Sequence, residues 1–577
     1  MRKKWRLPEP DPDRAKQIAL DLHIHPVLAQ ILLHRGIQDS ADARAFLHPS
    51  LKDLHSPFLL KDMDRAVARL RLALARAEKI LLYGDYDVDG ICGAALLWLL
   101  LKELGGKPIS YFPHRLREGY GMKEEVIRWA GKEKIGLIVA IDLGITAHSE
   151  VECARSLGID VIVCDHHLPG EKLPAALAIL NPQQADCPYP FKSLAAVAVV
   201  FKLCQALGEA MGKSDYVNQH LDLLALGTIA DVVPLRGENR VFARLGLAVL
   251  QRSQKVGIHA LLELAGLSRS PLGAGQVAFI LAPRLNAAGR MKEADLAFQL
   301  LVTESPSQAH RLACILEELN RDRQAIERAV MEETTRMVEA QARLPKAICL
   351  WGDGWHLGVV GIVASRLVET YYRPAAIISL IGGMGRGSAR SIPGFPIHRA
   401  LEECSDLLEG FGGHSFAAGF TIDKEAVPSF VERFQEVADS SLSEEDFLPA
   451  LSIDGEVSLG DLSVELVMQM KEMEPYGVGN PEPTLACQGL QVMKYPRCVG
   501  ENGEHVKLKV RRDGKVMEAI GFGMGHLQGE LEGSPTLIDL AFCPAINTYR
   551  GKASLQLRIK DLRFPPTQKL APSRFTR

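Results

Sequence analysis

Residues 79–104 read KILLYGDYDVDGICGAALLWLLLKEL. The opening KILLY is a short apolar run with no polar face, the pattern of a strand covered on both sides. Residues 90–104 are apolar and long enough for a buried helix. Between them stand three aspartates at every second position, Asp85, Asp87 and Asp89. The same order recurs: strands are predicted at 108–112, 136–141 and 160–164, with helices at 122–132 and 146–157. Strands alternating with helices predict a parallel sheet with helices on both faces. Such sheets bind ligands beyond the carboxyl ends of their strands.

Further along, residues 192–301 read as mainly helical. Ser305-Pro306 is an N-cap followed by a first-turn proline. Residues 307–344 contain no glycine or proline, and Leu312, Ile315, Leu316 and Leu319 keep helical spacing. One helix of up to about 55 Å is predicted there, joining two lobes. Strands at 347–351 and 375–380 with a helix at 361–369 predict a second α/β lobe. Near the end, Val506, Leu508 and Val510 alternate with Lys507, Lys509 and Arg511, and Leu555, Leu557 and Ile559 alternate likewise. Asp513-Gly514 supplies a hairpin turn. This part reads as a small antiparallel barrel of the OB kind. The expected class is therefore α/β, two α/β lobes joined by a long helix plus a C-terminal OB-like β-barrel. The expected divisions are an N-terminal segment at 1–45 packing on the first lobe, that lobe at 46–304, the helix at 305–344, the second lobe at 345–450, and the barrel with a C-terminal tail at 451–577.

The 577 residues are 47 % apolar and 24 % charged, with a net charge of -3. That balance excludes a uniformly basic surface, but residues 482–577 hold 15 Lys and Arg against 9 Asp and Glu. Eleven scattered cysteines with no C-x-x-C pair exclude a disulfide framework and point to a reducing cytoplasm. No signal peptide is expected at the N-terminus, and the longest apolar run, 91–101, is too short for a membrane span.

The chemistry-bearing residues follow the strands. YGDYDVDG (83–90) carries Asp85, Asp87 and Asp89; AIDLGIT (140–146) carries Asp142; CDHH (164–167) carries Asp165, His166 and His167; GTIADVVPL (227–235) carries Asp231. Three aspartates in five residues repel one another unless a cation compensates them. Carboxylates with imidazole suit Mn²⁺, Mg²⁺ or Zn²⁺, and carboxylate dominance favours the harder ions. The ligands suffice for two ions with a bridging carboxylate, the usual device for phosphate-ester hydrolysis. A calcium loop is excluded because position 96 is Leu rather than Glu. A dinucleotide fold is disfavoured because no G-x-G-x-x-G follows the first strand.

These motifs resemble the DHH phosphoesterase superfamily, whose signature is Asp165-His166-His167. The resemblance extends through FLHPSLKDLHSPFLLKDMDRAV (46–67), PHRLREGYG (113–121), PRLNAAGRM (283–291), GWHLGVVGIVASRL (354–367), GRGSARS (385–391) and FGGHSFAAGF (411–420). That extended set is similar to the superfamily's bacterial single-strand-specific exonucleases. It implies two divalent ions, Mn²⁺ or Mg²⁺, with Asp85, Asp87, Asp89, Asp142, His166 and Asp231 as ligands and Asp142 bridging. It implies His167, Asp142 and Asp165 as catalytic groups, and Arg115, Asn286, Arg290, Ser388, Arg390 and His414 as contacts to the strand and its 5′ phosphate. His356 is a weaker candidate. Tyr83 stands where relatives carry a histidine ligand, and Ala196 and Ala198 where glycines are expected. The implied activity is 5′-to-3′ hydrolysis of single-stranded DNA to 5′-mononucleotides in recombination and repair. The implied protein is a cytoplasmic monomer with helicase and single-strand-binding protein partners and no membrane. Superfamily relatives acting on cyclic dinucleotides or very short RNA lack the terminal β domain. A non-catalytic replication scaffold would lack the ligands.

Overall fold

The computed structural model describes residues 3–115, 117–493, 496–532, 537–549 and 552–565. The predicted C-terminal tail from 566 onward, and Leu116 of the PHRLREGYG motif, lie outside the described residues. The chain forms two bodies, one of residues 49–447 with 475–479, the other of residues 1–48, 448–474 and 480–577.

The first body holds the predicted parallel sheet. Its strands run in the order Lys107–Tyr111, Lys79–Gly84, Ile135–Ile141, Asp160–Cys164, Ala178–Leu180, all parallel. Sequence order is therefore 2-1-3-4-5, and the chain changes direction between the first and third strands. Ligands bind at that switch point in doubly wound sheets. The backbone ladder continues one residue past three strands: Asp85 N–H donates to Ile141 O at 3.0 Å, Asp142 N–H to Cys164 O at 2.9 Å, and Asp165 N–H to Leu180 O at 3.1 Å. The three acidic motifs are thus set side by side by sheet register. Behind them the helix Val88–Glu103 is buried on nearly every side, against the helices Ala196–Ala210 and Leu221–Ala230. Its first residue is 88 rather than the predicted 90, because Asp87 caps it by accepting from Asp89 N–H and Gly90 N–H. Gly90 is required: a Cβ there would lie 2.6 Å from the Asp85 carbonyl oxygen.

The long helix spans Pro306–Glu339, 34 residues and about 51 Å. It stops five residues short of the predicted 344, the residue at which Pro345 disfavours helical backbone. The second lobe carries a mixed sheet in the order Gly410–Gly413, Ala417–Asp423, Met384–Arg390, Ala375–Ile381, Ile348–Asp353. Only the last two strands are parallel.

In the other body five strands close a barrel. Leu485–Val492 pairs with both Leu537–Tyr549 and His505–Arg512, and Lys515–Gly521 runs parallel to Lys552–Arg563. This is the OB topology. The N-terminal segment does not belong to the first lobe as expected; it groups with the barrel. Lys4–Arg6 pairs in parallel with Ala450–Ser452, and the Trp5 indole donates to Asp561 Oδ2 at 2.6 Å. Arg35 donates to Asp454 at 3.0 Å with both groups largely buried. The apolar side of 18–33 is buried as predicted, with Leu28, Ile31 and Leu32 fully enclosed, but an amphipathic face does not specify its partner. Among the described residues no helix is long and apolar enough to cross a membrane.

Candidate active site

Three overlapping groups of ligand atoms, each within 4.8 Å, form at the switch point: Asp85, Asp87 and Asp142; Asp89, His166 and Asp231; and Asp142, His166 and His167. Asp142 is shared. Its backbone has φ +63°, a left-handed conformation unusual for a side chain, which turns the chain sharply at the strand end. His166 Nε2 lies 3.3 Å from Asp142 Oδ1 and 3.7 Å from Asp231 Oδ2.

The protein alone does not satisfy this cluster. Asp85 Oδ1, Asp142 Oδ1 and Asp231 Oδ2 are buried with no hydrogen-bond partner. Burial, then the charge of Asp87, pushes the Asp85 carboxyl well above its usual range. Burial and the charges of Asp87, Asp89, Asp85 and Asp231 do the same at Asp142. Burial, with Asp89 and Asp87, raises Asp231, and burial with Asp87 lifts Asp89 to about 7. Burial and His167 drop His166 to about 4, which leaves a neutral imidazole. Orphaned oxygens, mutual repulsion and a neutral imidazole are what divalent cations require of a site. Hard carboxylate oxygens predominate, so the residues fit Mn²⁺ or Mg²⁺.

Other expected residues take different places. Asp165 is fully buried and outside the ligand groups. Its Oδ1 accepts from His166 N–H at 2.7 Å, His167 N–H at 3.1 Å and His167 Nδ1 at 2.7 Å; its Oδ2 accepts from Ile145 N–H at 3.0 Å. It holds the loop rather than facing a substrate. Burial alone would lower the His167 pKa, but its bond to Asp165 and the charges of Asp165, Asp85 and Asp87 raise it on balance. Asp89 also accepts from Ala196 N–H at 2.7 Å and Val197 N–H at 2.8 Å, at the positive end of a helix. Ala196 serves there through its backbone, so a glycine is not needed. Tyr83 is buried beside Tyr111, and it is in none of the ligand groups.

A second constellation is cationic. Arg115 stacks over the Tyr86 ring at 5.1 Å. Burial, then Arg115 and Arg323, lowers Arg290 to about 10, and burial with Arg115 lowers Arg390. Arg290 Nη1 donates to Gly358 O at 3.2 Å, and Arg390 Nη1 donates to Ser388 Oγ at 3.0 Å. Among the described residues none of these three arginines is paired with a carboxylate. A partly buried group of arginines with a hydroxyl suits a phosphate. Asn286 links the two constellations, because its Oδ1 accepts from Val88 N–H at 3.1 Å beside Asp87. His414 is exposed at a hairpin end and His356 caps the helix Leu357–Tyr371 by accepting from Gly358 N–H; neither is in a ligand group.

Sequence reasoning missed Tyr120. Its hydroxyl donates to Asp142 O at 3.2 Å and its ring lies edge-on to His167 at 6.1 Å. It lies inside PHRLREGYG, where Arg115, Arg117 and Glu118 carry charge and a neutral tyrosine gives no comparable signal.

Comparison with known proteins agrees with this geometry. Residues 79–228 match the DHH family N-terminal domain, 344–440 the DHHA1 domain and 453–561 the RecJ OB domain. The single-stranded-DNA-specific exonuclease RecJ of Bacillus subtilis is 40 % identical over 561 residues, 97 % of this chain and 70 % of that protein. Crystal structures of Thermus thermophilus RecJ with Mn²⁺ and with Mg²⁺ are 32 % and 31 % identical, with TM-scores of 0.85 and 0.79. Each alignment covers 98 % of this chain, and 80 % and 79 % of those chains. With both lobes, the barrel and the acidic strand ends all matched along nearly the whole length, the chain belongs to the RecJ family of the DHH phosphoesterases.

Proposed function

We propose that the protein is a metal-dependent exonuclease that degrades single-stranded DNA from its 5′ end to 5′-mononucleotides, acting in recombination and repair. One observation carries this reading: three buried carboxylate oxygens with no hydrogen-bond partner among the described residues lie at the sheet's switch point, near a group of arginines that have no carboxylate partner among the described residues.

Asp85, Asp87 and Asp142 would hold one divalent ion; Asp89, His166 and Asp231, with Asp142 shared, would hold the other. When bound, such ions neutralise the carboxylates, activate water and stabilise charge on the transferred phosphorus. Asp165 fixes His167 by accepting at Nδ1, so Nε2 is directed outward. The bond to Asp165 favours the protonated ring, whose Nε2–H can donate to a non-bridging phosphate oxygen. Arg115, Arg290, Arg390 and Ser388 hold the 5′ phosphate and so set the distance from the chain end to the cut bond. Lys507, Lys509 and Arg511 on the barrel supply backbone contacts to a strand. His414, exposed on the second lobe, contacts the strand. The protein acts as a cytoplasmic monomer with a helicase and a single-strand-binding protein as partners.

The test is release of labelled mononucleotide from 5′-labelled single strands in Mn²⁺ by Asp142→Ala and Asp231→Ala. Both variants should be essentially inactive. Release at a near-wild-type rate by either would refute the metal assignment.

A further inference from the structure

The helical run that brings Asn286 and Arg290 to the site is interrupted. Ala274–Gln276 is followed by a π turn, Val277–Leu281, and then by the helix Ala282–Met291. Pro283 accounts for the break: it has no N–H for the Phe279 carbonyl four residues back, and its ring crowds that oxygen. Arg284 braces the opened turn, donating from Nη1 to Ile280 O at 2.7 Å and from Nε to Glu317 on the long helix at 2.7 Å. Turns of this kind are rare and gather at functional sites.

The side chain carried out by this turn is Phe279, 83 % exposed, more than any other large apolar side chain described. A single exposed phenylalanine needs no explanation by itself. Its surroundings are what matter. Phe279 lines a cleft of about 670 Å³ between the long helix, the helix Leu357–Tyr371 and the helix Ala282–Met291. Asn286, Arg290, Arg323, Arg328 and Arg366 line the same cleft. Its buried acid, Glu327, is already engaged by Arg323 at 2.5 Å and Arg366 at 2.7 Å. Arg290 and Arg328 have no carboxylate partner among the described residues. An aromatic face among uncommitted arginines is the composition that binds a single strand without reading its sequence. The cleft adjoins the proposed cutting site through two shared residues: Asn286 accepts from Val88 N–H beside Asp87, and Arg290 feels the charges of Arg115 and Asp87.

We propose that Phe279 is a stacking residue, packing on one base of the single strand lying in this cleft. The inference rests on the reading of the protein as a single-strand exonuclease and deepens it. Stacking on one base holds the strand in register between steps and excludes a paired base, whose faces are already covered.

The experiment measures binding of the full-length protein, without divalent ions so that nothing is cut, to oligothymidylates carrying one abasic site at successive positions. Wild type should show one position where base loss weakens binding by about 5- to 150-fold. In Phe279→Ala that position should become indifferent. In Phe279→Trp it should return, with indole fluorescence quenched on binding. An unchanged abasic profile in Phe279→Ala, or unquenched fluorescence in Phe279→Trp, would overturn the stacking role while leaving the exonuclease reading intact. Failure of wild type to bind any strand would remove both.

Discussion

The Asp165 carboxylate lies 2.7 Å from His167 Nδ1 and also accepts the backbone N–H groups of His166 and His167. The aspartate of the signature is therefore consumed in shaping the loop that carries the two histidines. Asp165→Asn removes the charge and keeps one acceptor oxygen for the three N–H groups at Oδ1, but it turns an amide donor toward Ile145 N–H at the Oδ2 position. Outer partners of metal sites of this kind are worth about 10–100-fold in activity. The variant should lose that much activity, and the pKa of His167, followed by NMR in the metal-free protein, should fall. An unchanged His167 titration would show that Asp165 does not govern the ring.

Protonation competes with metal at this site. The carboxyls of Asp85, Asp142 and Asp231 are raised by burial first and mutual repulsion second, and Asp89 reaches about 7. A cation binds their deprotonated forms, so binding expels protons. Mn²⁺ affinity should increase with pH through about 7, and calorimetry in two buffers of different ionisation heat should show proton release at pH 6.5 that declines as pH rises. Affinity independent of pH would mean that the carboxylates are already ionised in the metal-free site.

The arginine pocket makes a prediction about ends. Arg390 is partly buried beside Ser388, with its charge disfavoured by desolvation and by Arg115, so an incoming phosphate relieves it. Arg390→Ala should lose most of the preference for a 5′-phosphorylated strand over a 5′-hydroxyl strand. The readout is the ratio of kcat/KM on the two ends. A ratio equal to wild type would place the phosphate elsewhere.

Away from the site, Lys202 is fully buried, and Glu238 is 2 % exposed. Lys202 Nζ lies 2.7 Å from Glu238 Oε1, while the Tyr189 hydroxyl donates to Oε2 at 2.6 Å. Glu238→Ala leaves a buried ammonium without its partner, which costs about 3–5 kcal/mol. Burial already lowers the Lys202 pKa, so in the variant the folded state binds fewer protons than the unfolded one above that lowered value. The loss should therefore shrink as pH rises toward 10.5. Urea unfolding at neutral and alkaline pH measures both; a loss below about 1 kcal/mol at neutral pH would contradict the pairing.

The metal cluster was legible because each part has a local signature: an apolar strand, then an acid where the strand ends. Register then brings Asp85, Asp142 and the CDHH turn together without further information. Other parts had no local signature. The strand Met384–Arg390 reads MGRGSAR, with two glycines and no alternation, and is specified by its neighbours on both sides. The three-residue strand Ala178–Leu180 is too short for a period. The N-terminal helices showed an apolar face but not the surface that covers it, and their assignment to the barrel depends on Trp5–Asp561 and Arg35–Asp454, pairs more than 400 residues apart in sequence. Asp165 could not be separated from the ligands in sequence, because an aspartate that bonds backbone and one that bonds metal are the same letter.

The central claim is that one strand enters by its 5′ end and is cut at the shared Asp142 cluster. A time course in Mn²⁺ on single-stranded DNA labelled at either end, with duplex as control, tests it most directly. The account predicts that 5′ label appears as mononucleotide from the first time point, that 3′ label passes through progressively shorter strands, and that duplex persists. Release of 3′ label first, or internal fragments from both labels, would contradict it.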